Sequence, residues 1–142
     1  MKKRQVVITG AGACGLMAAI MAARNGAAVT VLEQNEKPGK KICATGNGRC
    51  NFSNLARPDD AYRGEHPEFV EDALREFSVE NTIEFFKEIG IYPLNRNGYL
   101  YPRSNQAQSV VDVLCMEAAS LGVKIKTNEQ VTEIKTGTNE KN

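Results

Sequence analysis

Residues 6–33 read VVITGAGACGLMAAIMAARNGAAVTVLE, which is a short apolar run, a glycine-rich turn, a small-residue stretch of helical character and a second apolar run. Gly10, Gly12 and Gly15 have G-x-G-x-x-G spacing. The first permits a tight turn, the second lets the backbone approach a pyrophosphate, and the third lets helix and strand pack closely. A diphosphate at the start of the following helix meets unpaired N–H groups and the positive end of the helix dipole. The pattern predicts a βαβ unit that binds a dinucleotide.

An acidic residue ends the second predicted strand. Glu33 follows Gly10 by about 20 residues, directly after the run 29–32, where a carboxylate accepts hydrogen bonds from ribose hydroxyls and disfavours a 2′-phosphate. FAD or NAD is therefore favoured over NADP at this site. An ordinary glycine-rich turn is the alternative reading, and the flanking strands, the alanine-rich helix, Gly26 and the terminal acid together argue against it.

Length and charge bound the class of protein. The 142-residue chain carries 18 Lys and Arg against 17 Asp and Glu, a balance that favours neither a nucleic acid nor a membrane surface as a partner. No apolar run approaches the roughly 18 residues of a membrane span, and the N terminus leads into a strand rather than a signal peptide. A cytoplasmic location is expected. Because the length is short for a dinucleotide enzyme and the polar tail 136–142 follows a strand-like run, we expect only part of a longer protein.

The cysteines give no sign of a metal site. Cys14, Cys43, Cys50 and Cys115 form no C-x-x-C pair and have no histidine nearby in the sequence, so neither a zinc site nor a disulfide framework is predicted. Reduced thiols are expected. Cys14 and Cys115 are interpreted as packing residues, and His66, the one histidine, as a solvated loop residue rather than a catalytic one.

A second glycine-rich segment follows the βαβ unit. Residues 36–55 read EKPGKKICATGNGRCNFSNL, without a sustained helical or strand period. Lysines and an arginine alternate with glycines, a combination suited to binding an anion through backbone N–H groups and side chains. This composition favours an ordered binding loop over a flexible solvated one.

The remaining elements are predicted from hydrophobic periodicity and turn signals. They are helices over 67–77 and 78–90, a hairpin at Asn97–Gly98 within 91–103, an amphipathic helix over 104–122, and strands over 123–127 and 130–135. The apolar stripes of the helices over 67–77 and 78–90 are expected to be core. They consist of Phe69, Val70, Ala73, Leu74 and Phe77 in the first and of Val79, Ile83, Phe86 and Ile89 in the second. The whole predicts an incomplete Rossmann-like α/β domain with a parallel sheet, inserted helices and a hairpin. Its parts are the fingerprint at 1–35, the basic loop at 36–55, the helical pair at 66–90 and the hairpin, helix and strands at 91–142.

Two segments resemble a known family. GKKICATGNGRCNFSN, residues 39–54, and GYLYPRSNQA, residues 98–107, are similar to the BaiN/YhiN-like NAD(P)/FAD-dependent oxidoreductases, bacterial flavoproteins of the glutathione-reductase-like class. The resemblance runs from Val6 to about Ile134, and the G-x-G-R-C-N stretch from Gly46 is far more specific than G-x-G-x-x-G. It implies the N-terminal part of an FAD-binding Rossmann-like domain.

The resemblance also implies a set of cofactor-binding residues in three groups. The diphosphate would be held by Gly10, Gly12, Ala13 and Gly15, with Cys14 in the same turn, and the adenosine ribose by Glu33 and Gln34. The residues implied to line the diphosphate and the flavin end are Lys41, Thr45, Gly46, Gly48, Arg49, Cys50 and Asn51. The backbone of Val131 is implied to contact the adenine.

The activity implied by the resemblance is hydride transfer from NAD(P)H through FAD to an organic acceptor or oxygen. No catalytic acid or base is identified, and because family members continue for several hundred residues, the chain alone is expected to be inactive. Two alternatives remain open. One is a non-catalytic nucleotide-binding or assembly module that self-associates or needs a partner chain for its missing half. The other is an NAD-dependent dehydrogenase domain, against which the second basic glycine loop argues.

Overall fold

The computed structural model describes residues 3–56 and 61–135. The chain divides into two compact units, Met1–Pro38 with Ala118–Asn142 (unit 1) and Gly39–Glu117 (unit 2). In chain order the elements are β1 (Gln5–Thr9), α1 (Ala13–Arg24), β2 (Ala28–Leu32), α2 (Lys40–Ala44), a 3-10 turn (Thr45–Gly48), β3 (Ser53–Asn54), α3 (Phe69–Glu76), α4 (Val79–Glu88), β4 (Pro93–Arg96), β5 (Tyr99–Pro102), α5 (Ala107–Ser120) and β6 (Lys124–Lys126).

Unit 1 contains the predicted βαβ arrangement. Its three strands form a parallel sheet in the order β1-β2-β6, with Val7 opposite Thr30 and Val31 opposite Ile125. The central strand β2 buries Val29 and Val31, and α1 buries Leu16, Ala19 and Ile20. Helix α1 forms the crossover connection that the neighbouring parallel strands β1 and β2 require. The prediction of a Rossmann-type fold with a parallel sheet is confirmed.

Unit 2 is built around an antiparallel sheet in the order β3-β5-β4. The hairpin predicted at Asn97–Gly98 is confirmed, because both residues have positive φ, 53° and 91°, as the tight primed turns between paired strands require. The Asn95 side chain accepts a hydrogen bond from the Gly98 N–H at 2.8 Å. The amphipathic helix is also confirmed as α5, which buries Val110 and Leu114.

The inserted helices match the sequence prediction in position but only partly in burial. Ser78 caps α4 as predicted: its Oγ accepts from the Asn81 N–H, while the Asn81 side chain accepts from the Ser78 N–H. No residue of α3 is buried, and Phe69 is 82% exposed, so the predicted core stripe of α3 is wrong within the described residues. Periodicity defines an apolar face but does not show what covers it. In α4 the buried residue is Phe85, beside the predicted stripe.

The strand predicted over 130–135 is wrong. Residues 131–135 are irregular and exposed, and they pair with none of the described strands. A single strand does not persist alone. The polar tail at 136–142 lies outside the described residues. Across the described part of the chain, no helix is long and apolar enough to cross a bilayer.

Candidate dinucleotide-binding site

The glycine turn of unit 1 is fixed by two of its glycines. Gly10 has a φ of +90°, which favours glycine, and its N–H donates to the Leu32 carbonyl at 2.7 Å. A Cβ on Gly15 would lie 1.9 Å from the Gly10 carbonyl oxygen. Helix α1 therefore packs against the end of β1 at a distance that only glycine permits, in agreement with the close packing predicted from the motif.

The middle glycine of the turn is different. Gly12 caps α1 with φ −82° and ψ −171°, a conformation open to any residue, and a Cβ there would meet no atom within 4 Å. Neither backbone strain nor packing within the chain therefore requires glycine at this position. The open space lies at the start of a 12-residue helix that has no side-chain cap and no acidic residue in its first turn. Such a helix end leaves backbone N–H donors for an external anion.

The next two residues, Ala13 and Cys14, are exposed at the start of α1. The interpretation of Cys14 as a packing residue is therefore wrong: its position next to the turn directs it outward. Cys115 is half-buried, and burial raises the pKa of its thiol. The predicted solvated histidine, His66, is exposed and pairs with the Glu68 carboxylate at 3.1 Å.

Glu33 is the buried acid of unit 1, with 5% of its surface exposed. Its Oε2 accepts from the Ala11 N–H at 2.7 Å, and its Oε1 accepts from the Asn35 N–H at 2.8 Å and from the Asn35 side-chain amide. The Asn35 backbone N–H is the largest cause that lowers the pKa of Glu33, and burial opposes it. The Ala11 N–H, the Asn35 side chain and the Gln34 N–H lower the pKa further. A carboxylate held by N–H donors stays ionised at neutral pH.

Sequence reasoning missed Asn35 and Ala11 as partners of Glu33. The segment that contains Glu33 and Asn35 is also hydrogen-bonded to the chain beyond β6, because the Asn128 N–H donates to the Asn35 carbonyl at 3.1 Å. The sequence signal for the Asn35 contact was weak. It consists only of the general tendency of asparagine after a strand to make local hydrogen bonds in turns. Of the other residues implied here by resemblance, Gln34 is exposed and Val131 is 37% exposed.

The second glycine segment lies in unit 2 and is more regular than predicted. Residues predicted as a loop form α2 and the 3-10 turn. Gly39 precedes α2 with φ +72°, and a Cβ there would lie 2.5 Å from Cγ2 of Val111. Lys41 on α2 is exposed, and the Thr45 hydroxyl donates to the Ile42 carbonyl at 2.7 Å.

The backbone after α2 is strongly left-handed. Positive φ angles occur at Gly46 (55°), Asn47 (53°), Gly48 (78°) and Cys50 (58°). The Arg49 N–H donates to the Gly46 carbonyl at 3.2 Å, and the Cys50 N–H to the Thr45 carbonyl at 3.1 Å. Since these two N–H groups are used within the segment, an anion beside them would be bound through side-chain cations or the other N–H groups.

Tyr101 provides a platform for this segment. The Arg49 guanidinium lies 5.5 Å from the Tyr101 ring centroid, and the Arg96 guanidinium lies 5.7 Å from it. Arg49 Nε also donates to the Gly46 carbonyl at 3.1 Å, and a Cβ on Gly46 would lie 3.3 Å from a ring carbon of Tyr101. Two cations thus share one aromatic ring beside the glycine turn. Sequence reasoning gave no role to Tyr101 or Arg96.

Cys50 and Asn51 use their side chains within unit 2. Cys50 is 6% exposed, and burial raises the pKa of its thiol. With its amide nitrogen facing the two carbonyls, Asn51 donates to Leu100 at 3.1 Å and to Ser53 at 2.6 Å, which ties β3 to β5. The flavin contacts implied for these two side chains stay predictions.

Unit 2 also contains a cavity of about 770 Å³, whose lining includes Phe52, Leu74, Arg75 and Val79. Of the predicted site residues, Asn51 alone lines this cavity. Within residues 3–56 and 61–135, no group of three or more His, Cys, Asp and Glu side chains is arranged to hold a metal ion.

The sequence matches the family described as HI0933-like protein Rossmann domain over residues 4–142. The chain belongs to this family. The BaiN/YhiN-like resemblance is thereby confirmed. Its relatives include a 3-dehydro-bile acid delta(4,6)-reductase from Clostridium scindens, 48% identical over 92% of this chain and 32% of the relative. Ribosomal RNA dihydrouridine synthase from Escherichia coli is 32% identical over 94% of this chain and 34% of the relative. The chain thus spans about a third of the length of these enzymes.

Solved structures show the same fold. The 3-ketosteroid-delta4-(5alpha)-dehydrogenase of Rhodococcus jostii matches with a TM-score of 0.63 and 18% identity, over 90% of this chain and 38% of that protein. A flavocytochrome c3 fumarate reductase in its open conformation matches with a TM-score of 0.61 and 17% identity, over 89% of this chain and 27% of that protein. At 18% and 17% identity, these two similarities show a shared fold alone.

Proposed function

We propose that this chain is the FAD-binding part of a flavin-dependent oxidoreductase, with the Gly10–Gly15 turn on the FAD diphosphate. The observation that carries the proposal is Gly12. Its backbone conformation suits any residue and its Cβ direction is empty within the chain, so the fold itself does not require glycine there. This supports close approach of a ligand to the backbone at that point. The position, at the uncapped start of α1, is the one that a diphosphate takes on a dinucleotide-binding fold.

The proposed roles follow from the groups that each residue presents. Backbone N–H groups at Ala13 and Cys14 donate to the diphosphate, and ionised Glu33 accepts from the adenosine ribose, which also disfavours a 2′-phosphate. Gln34 lies beside that ribose and the Val131 backbone beside the adenine. Unit 2, taken by itself, presents Lys41 and Arg49 as cations for an anionic group. The family resemblance implies that Thr45, Gly46, Gly48, Cys50 and Asn51 serve the flavin end of a cofactor.

The names of the relatives suggest the reaction class. One name describes a delta(4,6)-reductase of a 3-dehydro-bile acid, and the other describes a synthase of dihydrouridine in ribosomal RNA. We extend this chemistry to the complete protein as reduction of a polarised C=C bond in an organic acceptor, with NAD(P)H as donor. Bound FAD supplies the hydride carrier, while the protein binds and orients it. We assign the role of proton donor to the product to none of the described residues.

The test is FAD retention by the purified chain, with Gly12→Ala as the informative variant. After FAD is added and the excess removed by gel filtration, flavin bands near about 370 and 450 nm report the bound cofactor. We expect the wild type to bind FAD and Gly12→Ala to bind it at least about tenfold more weakly, with an unchanged melting temperature, since the new methyl occupies only the cofactor's space.

Gly26→Ala is the matched control. Gly26 has φ +83°, no atom within 4 Å of its Cβ direction, and a place at the opposite end of α1. Its substitution is expected to lower the melting temperature through backbone strain and to leave FAD affinity unchanged. FAD binding by Gly12→Ala at wild-type strength, or no binding by the wild type, would overturn the proposed cofactor site.

A second candidate function is an assembly module. Among the described residues β1 pairs with β2 alone, and Val7 on β1 is 65% exposed, whereas strands of parallel sheets are usually buried. Such an edge suits a strand from a second copy or from a partner chain. The same gel filtration, with light scattering, separates the two functions: a colourless dimer favours assembly, and a yellow monomer favours the cofactor site.

A further inference from the structure

Two arginines of unit 2 approach one aromatic ring from different elements. Arg49 directly follows the 3-10 turn, and its guanidinium lies 5.5 Å from the Tyr101 ring centroid. Arg96 ends β4 opposite Tyr99, so Tyr101 is its diagonal neighbour on β5, and the Arg96 guanidinium lies 5.7 Å from the same centroid. Diagonal pairs on paired strands are within reach of long side chains. The hairpin and the glycine segment therefore bring two positive charges to one ring.

Neither charge is neutralised within residues 3–56 and 61–135, where no ion pair includes Arg49 or Arg96. Arg75, on α3 of the same unit, shows the contrast, because its Nη1 lies 3.1 Å from the Asp72 carboxylate. Two like charges held near one ring repel each other, and the attraction of an aromatic ring for an exposed cation is weak. A bound anion would relieve this repulsion.

Both guanidiniums also keep most of their hydrogen-bond donors. A guanidinium carries five N–H groups in a planar fork that matches the oxygens of a carboxylate or a phosphate. Arg49 donates from Nε to the Gly46 carbonyl at 3.1 Å, which fixes the side chain beside the turn, and its Nη N–H groups make no hydrogen bond to a described residue. Arg96 is exposed and donates to no acceptor in the described part of the chain.

We propose that Arg49 and Arg96, held against the Tyr101 ring, form an oxyanion-binding site in unit 2, which takes a phosphate or carboxylate group. The inference rests on the proposed function, which gives Arg49 an anionic ligand, and extends it by a second cation and a class of ligand. Arg96 is the new member of the site, since it lies on a hairpin distant in sequence from the glycine segment.

A titration with inorganic phosphate, followed by the Nε–Hε NMR signals of the arginines in the purified chain, tests the site. Arg49→Gln and Arg96→Gln identify the two signals by their loss. In the wild type we expect both signals to shift along one saturable curve, and acetate to give the same pattern. Because these signals report unit 2, phosphate bound at the Gly10–Gly15 turn does not enter the curve.

Two substitutions of Arg96 measure its share of the binding. Arg96→Gln should weaken the phosphate affinity read from the Arg49 signal about tenfold, since a charged hydrogen-bonding partner is lost. Arg96→Lys should restore only part of that loss, because an ammonium group keeps the charge but lacks the planar fork. Both variants should keep the wild-type melting temperature, since the side chain is exposed.

Arg75→Gln is the matched control. It removes the same charge from an exposed arginine of unit 2 that already pairs with Asp72, so the phosphate affinity should stay at the wild-type value. Three results would overturn the site: a wild type without a saturable shift, an Arg96→Gln variant with unchanged affinity, or equal losses in Arg96→Gln and Arg75→Gln.

Saturation with FAD distinguishes the source of the oxyanion. If the group is a phosphate of the cofactor, FAD abolishes phosphate binding at the two arginines, whereas riboflavin, which has no phosphate, does not. If the group belongs to the acceptor, the FAD-loaded protein binds phosphate there as the apoprotein does. Either result supports the site. A wild type that binds phosphate at the arginines but binds no FAD keeps the site and overturns the proposed cofactor function instead.

Discussion

The two glycine-rich segments of this chain are held by different means. Residues 10–15 contain one left-handed residue, Gly10, and lie between β1 and α1, so regular elements on both sides fix the turn. Residues 39–51 contain five residues with positive φ, namely Gly39, Gly46, Asn47, Gly48 and Cys50. Beside local hydrogen bonds, such as that from the Cys50 N–H to the Thr45 carbonyl, this segment packs against two side chains distant in sequence: Val111 beside Gly39 and Tyr101 beside Gly46. A turn fixed by its flanking elements can be predicted from local spacing, whereas a segment fixed by distant side chains cannot.

Gly15→Ala is expected to have the largest effect, because it attacks the packing that fixes the first segment. The new Cβ would lie 1.9 Å from the Gly10 carbonyl oxygen, a backbone atom that cannot rotate away. We expect a loss of at least about 3 kcal/mol in the free energy of unfolding, and a midpoint lower by about 10 °C or more. Thermal denaturation followed by circular dichroism measures both.

The contrast with Gly12→Ala makes this prediction specific. Both variants add one methyl group to the same motif, but the Gly12 position is open within the chain. Gly15→Ala is expected to destabilise unit 1, and Gly12→Ala is expected to weaken only cofactor binding. Equal stability of the two variants would show that helix α1 can move away from β1, and that close packing is not what Gly15 provides.

Gly39→Ala tests how the second segment begins. Two costs add: the left-handed backbone, about 1–2 kcal/mol, and the contact of the new methyl with Val111 Cγ2 at 2.5 Å, about 1–3 kcal/mol. Gly26→Ala carries the first cost alone, since its φ of +83° is similar and its Cβ direction is empty. Denaturant unfolding should therefore give a larger loss for Gly39→Ala than for Gly26→Ala.

Val111→Ala separates the two costs at Gly39. In a double-mutant cycle, Gly39→Ala should cost about 1 kcal/mol less when Val111 is alanine, because the contact is relieved and the backbone strain stays. Additive effects of the two substitutions would contradict the idea that a distant side chain fixes the start of α2.

The same contrast explains which predictions failed. The βαβ unit, the Asn97–Gly98 hairpin and the Ser78 cap each depend on residues a few positions apart, and each was confirmed. The buried stripe of α3 and the strand over 130–135 depend on a covering surface and on a partner strand, neither of which is encoded within the segment itself. Periodicity therefore predicted that these segments have apolar faces but not their burial.

The candidate site divides in the same way. The spacing of the three fingerprint glycines and Glu33 was readable from the sequence, since each position has a separate physical requirement. The hydrogen bond from the Ala11 N–H to Glu33 was not, because it joins residues 22 positions apart that meet only when the turn and the strand end are brought together. The Asn35 contact is local, two residues from Glu33, and its sequence signal was weak.

Tyr101 gives the smallest expected effect and the sharpest test of the second segment. Tyr101→Leu removes the aromatic face on which Arg49 and Arg96 lie, while Tyr101→Phe keeps it. We expect Tyr101→Leu to cost about 1 kcal/mol in unfolding free energy and to weaken FAD binding a few-fold, because Arg49 loses its position beside Gly46. Tyr101→Phe should match the wild type in both measurements. If Phe is as damaging as Leu, the phenol hydroxyl rather than the ring supports the segment, and the aromatic platform is overturned.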